Sequence, residues 1–465
     1  MKPRVRVGDV VTAGVALGAR IGSLLWAGGR FPAAADGIYY HALAARIAEG
    51  LGSTWLWPDG TVTYAAHYPV GYPALLALAY RLVGPWPTAG GVVNALLGAA
   101  GAVAVHRLAL RATEPRWALL AGLAVALHPG LVMYAPALMT EGVTAALIAL
   151  AAWMASYRSR PGVALLGLVV GVATLVRPQS LLLAPCLGLL AAHPDSPRWA
   201  RLRRAAAATA IALLVCAPWT IRNCLHMRKC ALVSFNSGWN LLIGAGEKST
   251  GAWAPVDVPE ACRTVWDEAE KDACFGREAR RIIEQAPGRW IGLFPARLAA
   301  TFDYSGAPGF YLHESNPDAF GVEAKRRLGV IETIYERLAY LGALVAAALA
   351  RGPMQRVRLW VSGSSALFLF GVHAYLAVLG LAVSLALRGK RLFEDSVLAG
   401  ATFFAIVATA AVHAVYFGSG RYSMVIFPLV TGLAFSWPDR PPQSGVNDAD
   451  DRDRFYTSPR RKSLA

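Results

Sequence analysis

Two carboxylates stand at the edges of apolar segments, and both could perform acid–base chemistry. Asp36 follows the apolar run 10–27, and Glu141 lies at the start of another, 140–157. A carboxylate at a membrane face can act as a general base, hold a sugar hydroxyl or bind a divalent metal. The alternative is structural. Asp36 would then be a helix N-cap, and Glu141 a first-turn acid with Thr140 as its cap.

Three isolated arginines stand at the ends of apolar runs, on the side predicted to lie outside the membrane. They are Arg177, Arg222 and Arg421. Basic residues of membrane proteins usually collect in inside loops, so cations at outer ends need another explanation. Because a guanidinium binds phosphate through paired N–H donors, the three predict an anion site opposite the carboxylates. Snorkelling to lipid headgroups or a local ion pair is the alternative for each of them.

An aromatic turn occupies residues 67–73, with the sequence His-Tyr-Pro-Val-Gly-Tyr-Pro. Its two prolines and its glycine predict a rigid turn. His67 and Tyr68 could stack on a sugar ring. By itself the sequence favours the other interpretation, in which the aromatic side chains anchor the loop at the membrane interface.

The composition identifies the elements that must position these residues as membrane helices. The 465 residues are 55% hydrophobic and 16% charged, whereas soluble domains have about 45–50% and about 25%. The net charge of +16, from 45 basic and 29 acidic residues, would suggest nucleic-acid binding in a soluble protein. In a membrane protein it orients the helices instead. The sequence contains neither the phosphate-binding loop of nucleotide-driven pumps nor the paired histidines of zinc proteases.

Apolar length and basic clusters together predict the topology of the first half. Seven spans are expected at 10–27, 91–105, 117–134, 140–157, 162–176, 179–192 and 205–219. Basic clusters follow every inward end, which places the N-terminus inside. The first loop, 28–87, is then outside, and its mixed polar and aromatic composition predicts short helices on the membrane surface. Residues 1–221 would form a transmembrane catalytic module.

The second half is expected to hold a large outside segment, 222–358, followed by C-terminal transmembrane helices, 359–437. Spans at 359–387, 397–415 and 422–437 bring the total to ten. The apolar stretch 331–350 leaves twelve as the alternative, because it could cross together with a split of 359–387. The Pro-, Asp- and Arg-rich tail, 438–465, is predicted to be disordered and cytoplasmic.

Four of the six cysteines fall in the second outside segment and could form disulfides in an oxidising compartment. They are Cys224, Cys230, Cys262 and Cys274. Short loops close most easily, which favours pairing the first with the second and the third with the fourth. A zinc site and free thiols are the alternatives. Cys186 and Cys216 lie within predicted spans and are expected to be small buried residues.

Taken in order, the motifs resemble those of bacterial polytopic glycosyltransferases of the GT-C fold, in the group of protein O-mannosyltransferases and lipid A aminoarabinose transferase. The matching motifs are Asp36 with Tyr39 and Tyr40, Tyr-Pro-Val-Gly-Tyr-Pro at 68–73, Leu-Met-Thr-Glu at 138–141, Ala-Thr-Leu-Val-Arg-Pro at 173–178, Pro-Trp-Thr-Ile-Arg-Asn at 218–223 and Gly-Arg-Tyr at 420–422. The resemblance implies an all-α integral membrane protein with juxtamembrane helices in the first periplasmic loop and a larger periplasmic segment after the seventh span.

The resemblance also implies a reaction. Members take a sugar from a polyprenyl-phosphate carrier and pass it, with inversion, to an acceptor hydroxyl of a lipid, glycan or protein. This happens at the periplasmic face of the bacterial inner membrane. Carried over, Asp36 would be the catalytic carboxylate, acting as base or orienting the nucleophile, and Glu141 would support it or bind the acceptor or the sugar. The candidate residues for binding the lipid phosphate and the substrates are Tyr39, Tyr40, His67, Tyr68, Arg177, Arg222, Arg421 and Tyr422. No nucleic acid and no certain cofactor are implied, although a divalent metal near Asp36 is conceivable.

One departure weakens protein mannosylation as the specific activity. Protein O-mannosyltransferases carry a paired Asp-Glu in the first loop, whereas Asp36 is followed here by Gly37. Other functions stay open as alternatives. A lipid-linked sugar flippase or transporter would be expected to carry ionisable residues near the middle of the membrane, and a polyprenyl-linked oligosaccharide polymerase or ligase would have its key residues in a late outer loop.

Overall fold

The computed structural model describes residues 6–436, and these residues are mostly helical. The basic residues of the extreme N-terminus and the tail predicted to be disordered, 438–465, lie outside the described residues. The helices and strands of the first half are α1 Val7–Ala27, α2 Asp36–Ala48, β1 Thr54–Leu56, β2 Val62–Tyr64, α3 Gly71–Val83, α4 Pro87–Ala109, α5 Pro115–Ala126, α6 Pro129–Met133, α7 Glu141–Ala155, α8 Arg160–Val176, α9 Leu183–Leu190 and α10 Arg198–His226.

The second half continues with helices alone among the described residues. They are α11 Ser237–Ala245, α12 Glu268–Gln285, α13 Pro287–Gly292, α14 Phe294–Phe302, α15 Ala307–Ser315, α16 Val322–Leu349, α17 Gln355–Leu367, α18 Ala374–Ala386, α19 Arg391–Glu394, α20 Val397–Val415 and α21 Phe427–Ala434. Short 3₁₀ helices occupy Pro178–Leu182, Glu260–Cys262, Phe368–Phe370 and Gly420–Ile426.

Four helices within residues 6–436 are long and apolar enough, by length and composition, to cross a membrane. They are α1, α4, α10 and α20. Shorter apolar helices, among them α5, α7, α8 and α18, pack beside them. The composition and these helices establish a membrane protein, whereas the total of ten or twelve spans stays a prediction.

Helix α7 lies at the centre of the bundle and carries Glu141 at its first position. It is buried along most of its length between α4 and α8. Small residues allow the close approach: a side chain at Gly101 of α4 would come within 2.8 Å of the Cα of Ala146. Glycine and alanine are typical of such contacts between membrane helices. The start of α7 is therefore held rigidly at one end of the bundle.

The prediction of one continuous span over 359–387 is wrong, because the chain turns back on itself there. Helix α17 ends at Leu367, and α18 begins at Ala374 after a short turn. The two pack as a hairpin, in which the hydroxyl of Ser362 donates a hydrogen bond to that of Ser384 at 2.9 Å. Gly371 interrupts the apolar run and ends the 3₁₀ helix that follows α17, although composition alone does not reveal this break. The stretch 331–350 lies within the long helix α16.

The first loop folds over one end of the bundle as two helices separated by a β-hairpin. Strands β1 and β2 are antiparallel, with Trp55 opposite Thr63. Helices α2 and α3 pack against each other, and α3 also contacts α4 and α8. The predicted short surface helices are therefore present, and the hairpin between them is an addition that the sequence analysis did not anticipate.

Two disulfides lie at the end of α10 and in the segment that follows it. They join Cys224 to Cys230 and Cys262 to Cys274, which are the pairings that short loops favour. The second ties the segment before α12 to the first half of that helix. Cys186 and Cys216 are free.

We expect the second disulfide to stabilise the outside segment. Replacing Cys262 and Cys274 by serine should lower the free energy of unfolding by about 2–4 kcal/mol, because the crosslink restricts the unfolded chain. A fall in the thermal unfolding midpoint in detergent would show it. Cys186→Ser is the matched control with no crosslink to lose. Equal midpoints for the double variant and this control would contradict the prediction.

Candidate active site

Arg421 lies between the two carboxylates that the sequence singled out. Its Nη1 donates to Oδ2 of Asp36 at 2.8 Å, and its Nε lies 3.5 Å from Oε1 of Glu141. The guanidinium also donates to the hydroxyls of Tyr311 at 2.7 Å and Tyr422 at 3.3 Å. One planar cation therefore bridges groups from α2, α7, α15 and the 3₁₀ helix before α21.

Glu141 is the buried member of the carboxylate pair. Its side chain is only 1% exposed, and its Oε1 accepts a hydrogen bond from Nη1 of Arg177 at 2.5 Å. Its Oε2 accepts one from the hydroxyl of Tyr134 at 2.8 Å. With every oxygen engaged by the protein, Glu141 is suited to orienting the arginines.

Asp36 is the accessible member, with 30% of its side chain exposed. It opens α2 but makes no N-cap hydrogen bond, and Ala35 before it has a φ of +48°. The N-cap alternative for Asp36 is therefore wrong. Thr140 likewise makes no cap bond, and its hydroxyl accepts from Arg177 instead. The carboxylate of Asp36 points into the site, where substrate could reach it.

Tyr68 supplies the second hydrogen bond to Asp36, from its hydroxyl to Oδ1 at 3.3 Å. Burial raises the pKa of the Tyr68 phenol, and the negative charge of Asp36 raises it further. The phenol therefore stays protonated and serves as a donor. In this arrangement one neutral donor and one cationic donor orient the carboxylate of Asp36.

Aromatic rings surround Asp36 on the outer side. The ring of Tyr39 stacks on that of Tyr68 with centroids 5.0 Å apart, and Tyr39 is 46% exposed. Tyr40 is buried and contacts Tyr68 and Tyr72 edge-on. The His67 ring lies edge-on to Tyr68 at 4.9 Å. Only Tyr39 therefore offers a large open face, while Tyr40 supports the others from beneath.

Arg177 and Tyr422 form the inner wall of the site. The guanidinium of Arg177 lies 5.0 Å from the centre of the Tyr422 ring, and the His413 ring stacks on the Tyr422 ring with centroids 4.1 Å apart. A groove between α7, α9 and α20 is lined by these three residues together with Thr144 and Ser180. The groove is mostly apolar, and its cationic side chain is Arg177, which pairs with Glu141.

Arg222 does not join this cluster. Its guanidinium donates to the backbone carbonyls of Ser53 at 2.8 Å and Ala65 at 3.1 Å, and lies over the ring of Trp219. It braces the base of the β-hairpin. The predicted set of three arginines opposite the carboxylates is thus replaced by two, and these two pair directly with the carboxylates.

Sequence reasoning missed several residues of the site. The hydroxyl of Tyr134 donates to Glu141, and the hydroxyl of Tyr311 accepts from Arg421. Glu268, on α12, accepts a hydrogen bond from the first loop. Tyr134 had a usable signal, because it closes a predicted span on the side where Glu141 opens the next one. No spacing in the sequence points to Tyr311 or Glu268, since their contacts depend on how distant segments pack.

The groups around Asp36 do not form a divalent-metal site. Residues 6–436 contain no cluster of three or more His, Cys, Asp or Glu side chains that could hold a metal ion. The oxygens of Asp36 contact a guanidinium and a neutral phenol, neither of which supplies the carboxylate, carbonyl or imidazole ligands that such ions prefer.

Comparison with known families gives a match over about a third of the chain. Residues 67–221 match the family model described as dolichyl-phosphate-mannose-protein mannosyltransferase. This match confirms the resemblance to GT-C membrane glycosyltransferases. His67, Tyr68, Glu141 and Arg177 fall inside the matched range, whereas Asp36 and Arg421 fall outside it. The GT-C resemblance therefore has independent support in the segment that carries one of the two carboxylates.

Solved structures of two proteins are similar to this chain at low sequence identity. The archaeal oligosaccharyltransferase AglB from Archaeoglobus fulgidus, in complex with an inhibitory peptide and a dolichol-phosphate, is 13% identical with a TM-score of 0.47, over 92% of this chain and 49% of that one. ArnT from Cupriavidus metallidurans bound to undecaprenyl phosphate is 16% identical with a TM-score of 0.39, over 92% and 77%. The chain thus spans about half the length of the archaeal protein. No curated protein matches it.

Gly71 in the aromatic turn sets the position of Arg177. A side chain there would lie 2.5 Å from the backbone carbon of Leu175 and 2.6 Å from the nitrogen of Val176. We expect Gly71→Ala to lower stability by about 1–3 kcal/mol, because backbone cannot move away as a flexible side chain would. The unfolding midpoint is the measurement. Gly288→Ala, where nothing lies within 4 Å, is the control, and an equal effect of both would contradict the prediction.

Proposed function

We propose that this chain is an inverting glycosyltransferase that moves a sugar from a polyprenyl-phosphate donor to an acceptor hydroxyl at the outer, periplasmic face of the membrane. The observation that carries the proposal is the pair of carboxylates bridged by Arg421, one of them exposed and one buried. The family match supports the class of reaction. The sugar and the acceptor, whether lipid, glycan or protein, are set by contacts that no motif identifies.

In the proposed step Asp36 accepts the proton of the acceptor hydroxyl. The hydroxyl oxygen forms a bond to the anomeric carbon of the donor sugar from the face opposite the phosphate. The bond between that carbon and the phosphate oxygen breaks, and its electron pair stays on the polyprenyl phosphate. A single displacement of this kind inverts the anomeric configuration. The proton leaves Asp36 for water after the product departs.

The two arginines would stabilise the departing phosphate. Negative charge develops on the phosphate as the bond breaks, and donors already in place lower the energy of that state. Arg177 lines the groove whose apolar lining suits a prenyl chain, and Arg421 shares Oε1 of Glu141 with it. Glu141 would hold both guanidiniums in position, so that the phosphate meets a preorganised pair. Tyr39, with its open ring face, is the best candidate for contact with a sugar.

Arg222, Tyr40 and His67 would contribute indirectly. Arg222 braces the hairpin, and Tyr40 supports Tyr68 from below. His67 contacts the rings of Tyr68 and Trp239. Their replacement is therefore expected to affect activity through the shape of the first loop.

The test is an assay of the purified protein with a panel of polyprenyl-phosphate sugars. Release of free polyprenyl phosphate should require both protein and an acceptor, and nuclear magnetic resonance of the product should show an inverted anomeric linkage. The same sugars supplied as nucleotide conjugates should give no product. Transfer from nucleotide sugars, or a retained configuration, would overturn the proposal.

A further inference from the structure

Both oxygens of the Glu268 carboxylate accept hydrogen bonds from the first outside loop. Its Oε1 accepts a hydrogen bond from the indole N–H of Trp55 at 2.5 Å. Its Oε2 accepts two from backbone, at 2.7 Å from Ala66 and at 2.9 Å from His67. Glu268 is the first residue of α12, more than 200 positions further along the chain. One side chain thus satisfies three donors of a distant segment.

These donors belong to the part of the loop that positions Asp36. His67 precedes Tyr68, whose hydroxyl donates to Asp36. The Trp55 ring lies edge-on to the rings of Tyr39 and Tyr68, at 5.8 and 6.4 Å. Ala66 is fully buried, so its N–H would have no solvent to bond if the carboxylate were removed. A buried donor without a partner is costly, and the loop would have to shift to relieve it.

Glu268 is itself firmly held. It lies in the first turn of α12, where the helix dipole favours a negative charge, and the side chain of Asp267 caps this helix by accepting from the N–H of Glu270 at 2.9 Å. The disulfide between Cys262 and Cys274 ties the helix to the preceding segment. The outside segment that carries Glu268 is therefore rigid enough to set the position of the first loop.

We propose that Glu268 is a positioning residue for the reaction. By holding Trp55 and the backbone of Ala66 and His67, it fixes Tyr68 against Asp36. It also keeps the Trp55 ring in contact with the rings of Tyr39 and Tyr68. It does not touch substrate itself. The inference rests on the proposed glycosyltransferase function, but its structural part can be measured without any substrate.

The first measurement is amide hydrogen exchange on the substrate-free protein. In Glu268→Ala the amides of Ala66 and His67 should exchange at least about tenfold faster than in the wild type, because their acceptor is gone. The control is Glu270→Ala, on the same helix, where an exposed carboxylate pairs with Lys229. Equal protection in Glu268→Ala and in the control would overturn the proposal, whatever the activity.

The second measurement is turnover with a polyprenyl-phosphate sugar. Glu268→Ala should lower kcat about tenfold or more and leave the donor KM within about threefold. Glu268→Gln should restore part of this loss, because its carbonyl oxygen can still accept from the two backbone groups. Trp55→Phe should resemble Glu268→Gln, since each loses only the indole hydrogen bond.

A double-variant cycle tests whether the effect passes through Tyr68. If it does, Glu268→Ala combined with Tyr68→Phe should be no slower than the slower single variant. Effects that multiply would overturn the positioning role. Faster exchange at Ala66 and His67, together with a wild-type protein that releases no polyprenyl phosphate from any donor, would instead reject the proposed function and leave the structural role of Glu268 standing.

Discussion

Asp36→Asn is expected to lower kcat by about 10²–10⁴-fold, the usual contribution of a positioned general base. The amide has nearly the shape of the carboxylate but cannot take the acceptor proton. Its oxygen can still accept from Arg421 or Tyr68, so the loop should keep its place. The donor KM should therefore change much less than kcat. Release of polyprenyl phosphate measured over a range of donor concentrations separates the two constants.

Asp59→Asn is the matched control for this substitution. Asp59 lies in the same loop, at the turn between β1 and β2, and its carboxylate accepts from the backbone N–H of Thr61. Its turnover should equal that of the wild type. Turnover within about threefold of the wild type for Asp36→Asn would exclude Asp36 as the base, even if the protein proves to be a glycosyltransferase.

Arg421→Gln is expected to lower kcat by about 10²–10³-fold, the range found when one preorganised donor to a developing anion is removed. The loss has two physical causes. The departing phosphate would lose a cation, and Asp36 and Glu141 would lose the charge that lies between them. Arg421→Lys should recover only part of the activity, because a single ammonium cannot contact two carboxylates and two phenols at once.

The control for Arg421 is Arg281→Gln, on the exposed surface of α12, where the guanidinium pairs with Glu278. This variant should keep both its turnover and its unfolding midpoint. Midpoints measured for all variants show whether the loss of activity reflects unfolding. Full activity in Arg421→Lys would contradict the role of the planar fork and leave only a need for positive charge.

The helices of the first half could be predicted because their physical signal is local. Apolar length marks a membrane helix, and the basic clusters 107–116 and 198–204 predict inner ends from the sequence itself. The main prediction missed the split between α17 and α18 because the run 359–387 contains no Asp, Glu, Lys or Arg to mark a break. Only the packing of one against the other, with Ser362 facing Ser384, reveals the hairpin.

The residues of the candidate site were predictable where charge conflicts with an apolar surrounding. Asp36, Glu141, Arg177 and Arg421 all stand out for this reason, and the structure brings these four together. Arg222 gave the same signal, yet it binds backbone carbonyls of the hairpin. A lone charge in the sequence shows that a partner is needed but does not identify the partner.

The sequence by itself determined that this is a membrane protein of apolar helices, which carboxylates and arginines stand out at their ends, and which glycosyltransferase group it resembles. Each of these depends on residue type and on spacing along a single segment. Only the tertiary structure decided that Arg421 bridges Asp36 and Glu141, that Tyr311 completes its contacts and that Glu268 holds the loop of Tyr68. Those contacts join segments more than a hundred residues apart, and their geometry depends on how the helices pack, which no local pattern encodes.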